Sequence, residues 1–146
     1  VGSPPDMAGR HHNAEVARQL AVFLDNRPGM LASLCGLLSE AKINIFAIST
    51  SDTIDHSVVR LVVSDPHTAL EKLEDHGLLV VENDVIMLDG ANRPGSLERI
   101  AKTLAEHRVN IEYAYCATSP GSRRGLMVLR TDNIARAMRA LNSMET

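Results

Sequence analysis

The stretch DNRPGMLASLCGLL (residues 25–38) is answered 66 positions later by ANRPGSLERIAKTL (residues 91–104). Asn-Arg-Pro-Gly-x-Leu therefore occurs twice, each time between a short apolar run and a run with helical spacing. Proline fixes its own φ and glycine reaches backbone conformations closed to other residues, so Pro28-Gly29 and Pro94-Gly95 each mark a sharp turn. The duplicated strand–turn–helix divides the 146 residues into two similar units. Units of roughly 65 residues bury only about 60% of their unfolded surface. They are therefore expected to pack on each other or on another subunit.

Upstream of the first turn, Leu20, Val22 and Leu24 alternate with Ala21, Phe23 and Asp25, the period of a half-buried strand over residues 19–25. Downstream the pattern predicts a helix over 30–41, a strand over 43–50, a turn region at 52–56 and a strand over 57–64. Asp65-Pro66 then opens a helix over 67–76, which Gly77 ends, and residues 78–81 form a short strand. The second copy repeats the order with a strand over 85–89, a helix over 96–107, strands over 109–117 and 125–130, and a helix over 133–141. Strand, helix, strand, strand, helix, strand is the split βαβ arrangement. The fold class is therefore α+β, with two ferredoxin-like βαββαβ units, each an antiparallel sheet with its helices on one face. Residues 1–13 are read as a flexible tail outside the fold, with His11-His12 as tail residues and not a ligand pair. Residues 14–82 make the first unit and 83–146 the second.

The strands do not divide evenly. The first unit has four candidates and the second three, because residues 142–146 are too short and polar to supply another. Residues 82–84 could continue one long strand or turn a hairpin, so 78–81 could complete either unit's sheet. The second unit is expected to lack or borrow its last strand, and an open edge would favour pairing with another chain.

Composition narrows the function. The chain is 45% hydrophobic and 23% charged, as globular proteins are, and no apolar run approaches the roughly 20 residues of a membrane span. A net charge of −3 argues against nonspecific binding of nucleic acid. RNA-recognition folds share this strand order but stack bases on central-strand aromatics; here those strands carry Val, Leu and Ile. Cys35 and Cys116 occupy non-equivalent repeat positions and make no disulfide framework, which suits a reducing, cytoplasmic setting. His56, His67, His76 and His107 stand singly, and no nucleophile or metal-ligand spacing occurs. The loop SPGSRRG (119–125) lacks P-loop spacing and reads as a hairpin connection. No catalytic residue, metal or cofactor is expected.

The turns offer a different chemistry. A helix begins directly after each, with its first N–H groups unpaired and the positive end of its dipole facing the turn. A carboxylate placed there is held by backbone donors, while Asp25, Asn26, Asp89 and Asn92 could meet an ammonium group or cap the helix. That combination suits an α-amino acid. The same residues also make a good plain turn, and the motif alone leaves both readings open.

The repeats differ in their first helices. No charge occurs from Pro28 through Ser39, and Ala32, Ser33 and Gly36 stand where the second copy has Glu98, Arg99 and Lys102. The first helix is therefore expected to pack its Ala32–Gly36 face against another helix, in the other repeat or in a partner chain. Val58, Val59, Leu61, Val62 and Val63 leave both faces of the third strand apolar, interrupted by Arg60, so the second face of that sheet is expected to meet protein too. Asp52 with Asp55, and Arg123 with Arg124, read as solvated loop charges.

Residues 22–50 (VFLDNRPGMLASLCGLLSEAKINIFAIST) and 87–116 (MLDGANRPGSLERIAKTLAEHRVNIEYAYC) resemble the opening half of the ACT domain. In that family a strand ending in a polar residue leads through Pro-Gly into an amphipathic helix and an x-Asn-Ile strand start, matched by Lys42-Ile43-Asn44-Ile45 and Arg108-Val109-Asn110-Ile111. The resemblance implies a βαββαβ fold that pairs with another copy and binds small effectors, usually amino acids, at the interface. In the family the loop glycine and its neighbours touch the ligand. That role carries over to Gly29, with Asp25, Asn26, Arg27, Pro28, Met30 and Leu31. In the second copy it falls to Gly95, with Asp89, Asn92, Arg93, Ser96 and Leu97, and Asn44 and Asn110 are expected close by. Gly90 replaces the position matching Leu24, so the loops are expected to be unequal, with the first preferred. ACT domains usually regulate an attached enzyme, and no catalytic domain is recognised here. The expectation is a homodimer that senses a ligand and acts on a separate metabolic enzyme or regulator. The alternative is an oligomerisation scaffold with no ligand.

Overall fold

The computed structural model describes residues 12–52 and 56–144. The elements run β1 (His12–Asp25), α1 (Met30–Glu40), β2 (Ile45–Asp52), β3 (His56–Val63), α2 (Pro66–Asp75), β4 (Leu79–Ala91), α3 (Ser96–Glu106), β5 (Ile111–Ala117), β6 (Arg124–Thr131) and α4 (Ile134–Asn142). The class is α+β; the first half follows the βαββαβ order, and the second runs β4-α3-β5-β6-α4 without a closing strand of its own. Among the described residues no helix is long and apolar enough to cross a membrane.

Two elements are longer than the sequence pattern suggested. β1 begins at His12 and not near Gln19, so His12 and Asn13 are strand residues and not tail. The rest of the expected tail, His11 included, lies outside the described residues, as do 53–55 in the expected turn at 52–56. β4 runs unbroken from Leu79 to Ala91, so residues 82–84 continue a strand and turn no hairpin.

These long strands settle the uneven count. The chain divides into two compact units, one of them Arg18–Asn83 and the other formed from Asp84 onward together with the residues up to Ala17. Each unit then has four strands, in the order β2-β3-β1-β4 in the first and β1-β4-β6-β5 in the second. The beginning of β4 completes the Arg18–Asn83 unit, where Leu78 and Val80 pack on its core and Arg18 Nη1 meets Glu82 Oε1 at 3.1 Å. The beginning of β1 completes the other, where Ala14 packs against that unit's core.

Within Arg18–Asn83 the alternation of β1 sends Leu20, Val22 and Leu24 to one face, opposite Leu61 and Val59 of β3. Leu34 and Leu38 of α1 and Ala69 and Leu73 of α2 cover the same face, so both helices lie on one side. On the reverse face Ala21 pairs with Arg60, Phe23 with Val58, and Gln19 with Val62. Gln19 and Val62 are buried there, and Phe23 is 36% exposed. The second unit repeats the scheme with Ile86 opposite Leu129 and Leu88 opposite Met127, beneath Ile100 and Leu104 of α3 and Ala137, Ala140 and Leu141 of α4.

Both second helices carry side-chain caps. Asp65 Oδ1 accepts from the Thr68 N–H at 3.1 Å, and Asn133 Oδ1 from the Arg136 N–H at 3.0 Å. Neither α1 nor α3 has one. The outward face of α1 is uncovered within its unit: Leu31 is 43% exposed, Ala32 and Ser33 are exposed, and a Cβ added at Gly36 would meet nothing within 4 Å.

Candidate functional site

The two turns have nearly the same backbone. Gly29 has φ 88° and ψ −12°, and Gly95 has φ 87° and ψ −8°. In each, the Arg carbonyl accepts from the N–H three residues on, at 3.4 Å for Arg27 to Met30 and 3.2 Å for Arg93 to Ser96. Proline at the second position and a positive φ at the third define a type II β-turn, which explains why Pro-Gly stands in both copies. The glycine carbonyl then starts the helix, accepting from Ser33 N–H in one unit and Arg99 N–H in the other, both at 3.0 Å. With no side-chain cap on either helix, the first-turn N–H groups and the positive dipole end face the turn.

The side chains around the turns differ. In the first, Arg27 Nε lies 3.6 Å from Asp25 Oδ2, and both side chains are more than 60% exposed. Such a pair contributes about 0–1 kcal/mol, so Asp25 stays accessible to a ligand. Asn26, Pro28, Gly29 and Leu31 are exposed and Met30 is half-buried. In the second copy Asp89 is engaged by Arg124, whose Nε donates to Asp89 Oδ1 at 3.1 Å and whose Nη2 donates to the Asp89 carbonyl at 2.8 Å. Asn92 braces the turn against the β5–β6 connection, with its N–H on the Arg123 carbonyl at 2.8 Å and its side-chain amide on the Ser122 carbonyl at 2.6 Å. The Arg124 side chain thus holds the second turn in place and is not merely a solvated charge, whereas Arg123 contributes its backbone carbonyl and its side chain is exposed. The expected amine-binding pair of this copy, Asp89 and Asn92, already has intramolecular partners.

Asn44 and Asn110 do not gather with the turns. Each follows the far end of its helix, where the Asn44 N–H donates to Ser64 Oγ at 2.9 Å and the Asn110 N–H to Asp132 Oδ1 at 2.9 Å. The register puts Asp25 opposite His56 at one end of β3 and Ile45 opposite Val63 at the other. A strand of that length spans about 25 Å, so these asparagines brace the opposite end of each unit.

A hollow of about 260 Å³ lies at the second turn. Arg93, Gly95 and Ser96 form its turn side, and Arg99 and Ile100 of α3 its wall. Pro94, Ala91 and Met144 complete the lining. Arg99, Ala91, Pro94, Ile100 and Met144 were not among the contacts the sequence pointed to. The trace of Arg99 in the sequence was its replacement of Ser33 at the same repeat position. A second, shallower hollow of about 390 Å³ lies at the other end of α1, lined by Cys35, Ser39, Lys42 and the residues that start β2. No group of three or more His, Cys, Asp or Glu that could hold a metal ion occurs among the described residues.

A family profile described as ACT domain pair matches residues 15–144. The crystal structure of a protein from Bacteroides thetaiotaomicron is 31% identical with a TM-score of 0.83, covering 88% of each chain. The ligand-free regulatory subunit of aspartate kinase from Thermus thermophilus is 20% identical with a TM-score of 0.68, over 89% of this chain and 93% of that one. A structure of aspartokinase alpha and beta subunits is also 20% identical, with a TM-score of 0.65 over 90% of this chain and 94% of that one. Those two likenesses establish the fold alone. No curated protein matches the chain.

Proposed function

This chain belongs to the ACT domain pair family, and from that premise we propose that it is a regulatory protein that binds a small ligand, an amino acid in the first instance, at its Pro-Gly turns. The observation that carries this reading is the repeated type II turn feeding an uncapped helix N-terminus, with a hollow built against it in the second copy. Backbone donors at a helix start hold a carboxylate without needing a lysine or arginine. The turn residues Asp25, Asn26, Arg27, Pro28, Gly29, Met30 and Leu31 in one copy, and Arg93, Gly95, Ser96 and Leu97 in the other, are the proposed contacts.

We read the chain as a binding module that acts in the cytoplasm on a separate protein, not as an enzyme. The kinase regulatory subunit with a similar fold supports a role of that kind. A homodimer fits the uncharged outward face of α1, with Ala32 and Gly36 as the proposed helix contact. The same face favours the scaffold alternative, since it serves assembly whether or not a ligand binds. Replacing Gly36 by Glu should dissociate such a dimer in size-exclusion chromatography.

A thermal-unfolding screen of the twenty amino acids separates the readings. A ligand present at about 100 times its dissociation constant adds roughly 2.7 kcal/mol of stability. A response to one or a few amino acids supports the sensor. No response to any of them favours the scaffold.

A further inference from the structure

The outward faces of α2 and α4 carry opposite charge at matching positions. We propose that the α1–α2 layer of one copy docks on the α3–α4 layer of a second copy, with α2 against α4. This rests on reading the uncharged face of α1 as a contact between copies, and it adds which surface of the second copy covers that face.

Ala69 and Leu73 of α2 are buried in the first core, as Ala137 and Leu141 of α4 are in the second. Helical spacing then points Glu71, Glu74 and Asp75 away from the first core, and Arg139, with Arg136 beside it, away from the second. All five are exposed. Counted from the caps Asp65 and Asn133, Glu71 and Arg139 occupy the same position, so the charge is reversed there. α2 holds three carboxylates and one ammonium, whereas α4 holds two guanidinium groups and no carboxylate.

The acidic face is not explained by its own helix. Glu74 and Asp75 stand in the last turn of α2, where the negative end of the dipole opposes them. Glu71 faces His67 at 3.8 Å, with both side chains more than 60% exposed. Among the described residues Glu74, Asp75 and Arg139 enter no ion pair. Guanidinium groups from a second copy supply the missing opposite charge.

Beside each charged helix lies apolar surface. α1 packs next to α2, and α3 next to α4. Leu31 on α1 is 43% exposed and Leu97 on α3 is 48% exposed, with Ala32 and Ala105 exposed near them. The charges on α3 are mixed, with Glu98 and Glu106 against Arg99 and Lys102, so α4 sets the sign of its layer. An apolar centre with a charged rim is the anatomy of a protein interface. Setting α2 on α2, or α4 on α4, would oppose like charges, so the pattern selects the crossed pairing over either symmetric one.

The test is sedimentation of the full chain over a range of concentrations, repeated on Glu71→Arg and Arg139→Glu, both at exposed positions. The unmodified chain should associate, more weakly as salt rises. Each variant alone should raise the dissociation constant about tenfold or more, because like charges then face each other across the contact. An equimolar mixture of the two variants should associate as the unmodified chain does, since each introduced charge meets its opposite. If neither variant weakens association, the crossed pairing fails, and Gly36→Glu then decides the α1 contact by itself. If both variants weaken it but their mixture restores nothing, the crossed pairing fails as well. A chain that stays monomeric at every concentration overturns the α1 contact and the crossed pairing together.

Discussion

At the scale of single residues, the turn glycines and two basic residues occupy the same unusual backbone region for opposite reasons. A Cβ at Gly29 or Gly95 would meet nothing within 4 Å, yet φ near +88° is strained for any L-residue. Left-handed backbone costs a non-glycine residue roughly 1–2 kcal/mol. Gly29→Ala and Gly95→Ala should each lower stability by about 1 kcal/mol in urea denaturation, the gain in unfolded-chain stiffness offsetting part of the strain. Lys42 and Arg108 sit at φ 60° and 58° without being glycine. Lys42→Gly should therefore raise stability by about 0.5–1 kcal/mol, since relieved strain outweighs the added chain entropy. A loss of stability on Lys42→Gly would mean that its side chain contributes more than its backbone costs. The sequence made the first pair legible, because Pro-Gly states a turn type. Nothing in a lysine or arginine announces a left-handed residue.

At the scale of elements, the helices end within a residue or two of where capping and periodicity put them. The strand starts were less legible. Asn44 and Asn110 follow their turns closely in sequence, yet an 11-residue helix carries the chain about 16 Å away before either is reached. Chain proximity in the motif was not spatial proximity to the Pro-Gly turn. The two capped helices give a pH test, because α2 is capped by a titratable group and α4 is not. Hydrogen bonds from Thr68 hold the Asp65 carboxyl below its ordinary value, the nearby charge of His67 adding a smaller push the same way. A lowered folded-state pKa means the cap contributes above the unfolded-state value and is lost as pH falls through the folded one. The Thr68 amide resonance should shift in the acid range just below the usual carboxylate pKa, while the Arg136 amide beneath Asn133 stays put. Equal shifts at both would show general acid unfolding and not loss of a cap. Asn133→Ala should cost α4 about 1 kcal/mol at any pH.

At the scale of the whole molecule, the doubled motif revealed two units, and the seven-strand count showed that one was incomplete. What the sequence hid was the source of the missing strand. Among residues 12–18 (HNAEVAR), Val16 is the one strong strand former, and it is 49% exposed, so the segment carries no apolar alternation to read. Its pairing is imposed by the neighbouring strand and not by its own composition. The segment is nevertheless the fourth strand of the unit that begins at Asp84, with Ala14 against a core in which Ile86 and Leu88 are fully buried. Deleting residues 1–17 should strip β4 of its β1 partner within the unit that begins at Asp84 and expose a fresh sheet edge. Hydrogen exchange of the truncated chain should show protection lost first across residues 84–91 and then through β6. The β1–β3 pairing from Gln19 to Asp25 should stay protected, because its partners all lie within Arg18–Asn83. Unchanged protection over 84–91 would mean that β4 and β6 hold their pairing without the fourth strand, and that the opening residues of the chain contribute no stability to the unit they complete.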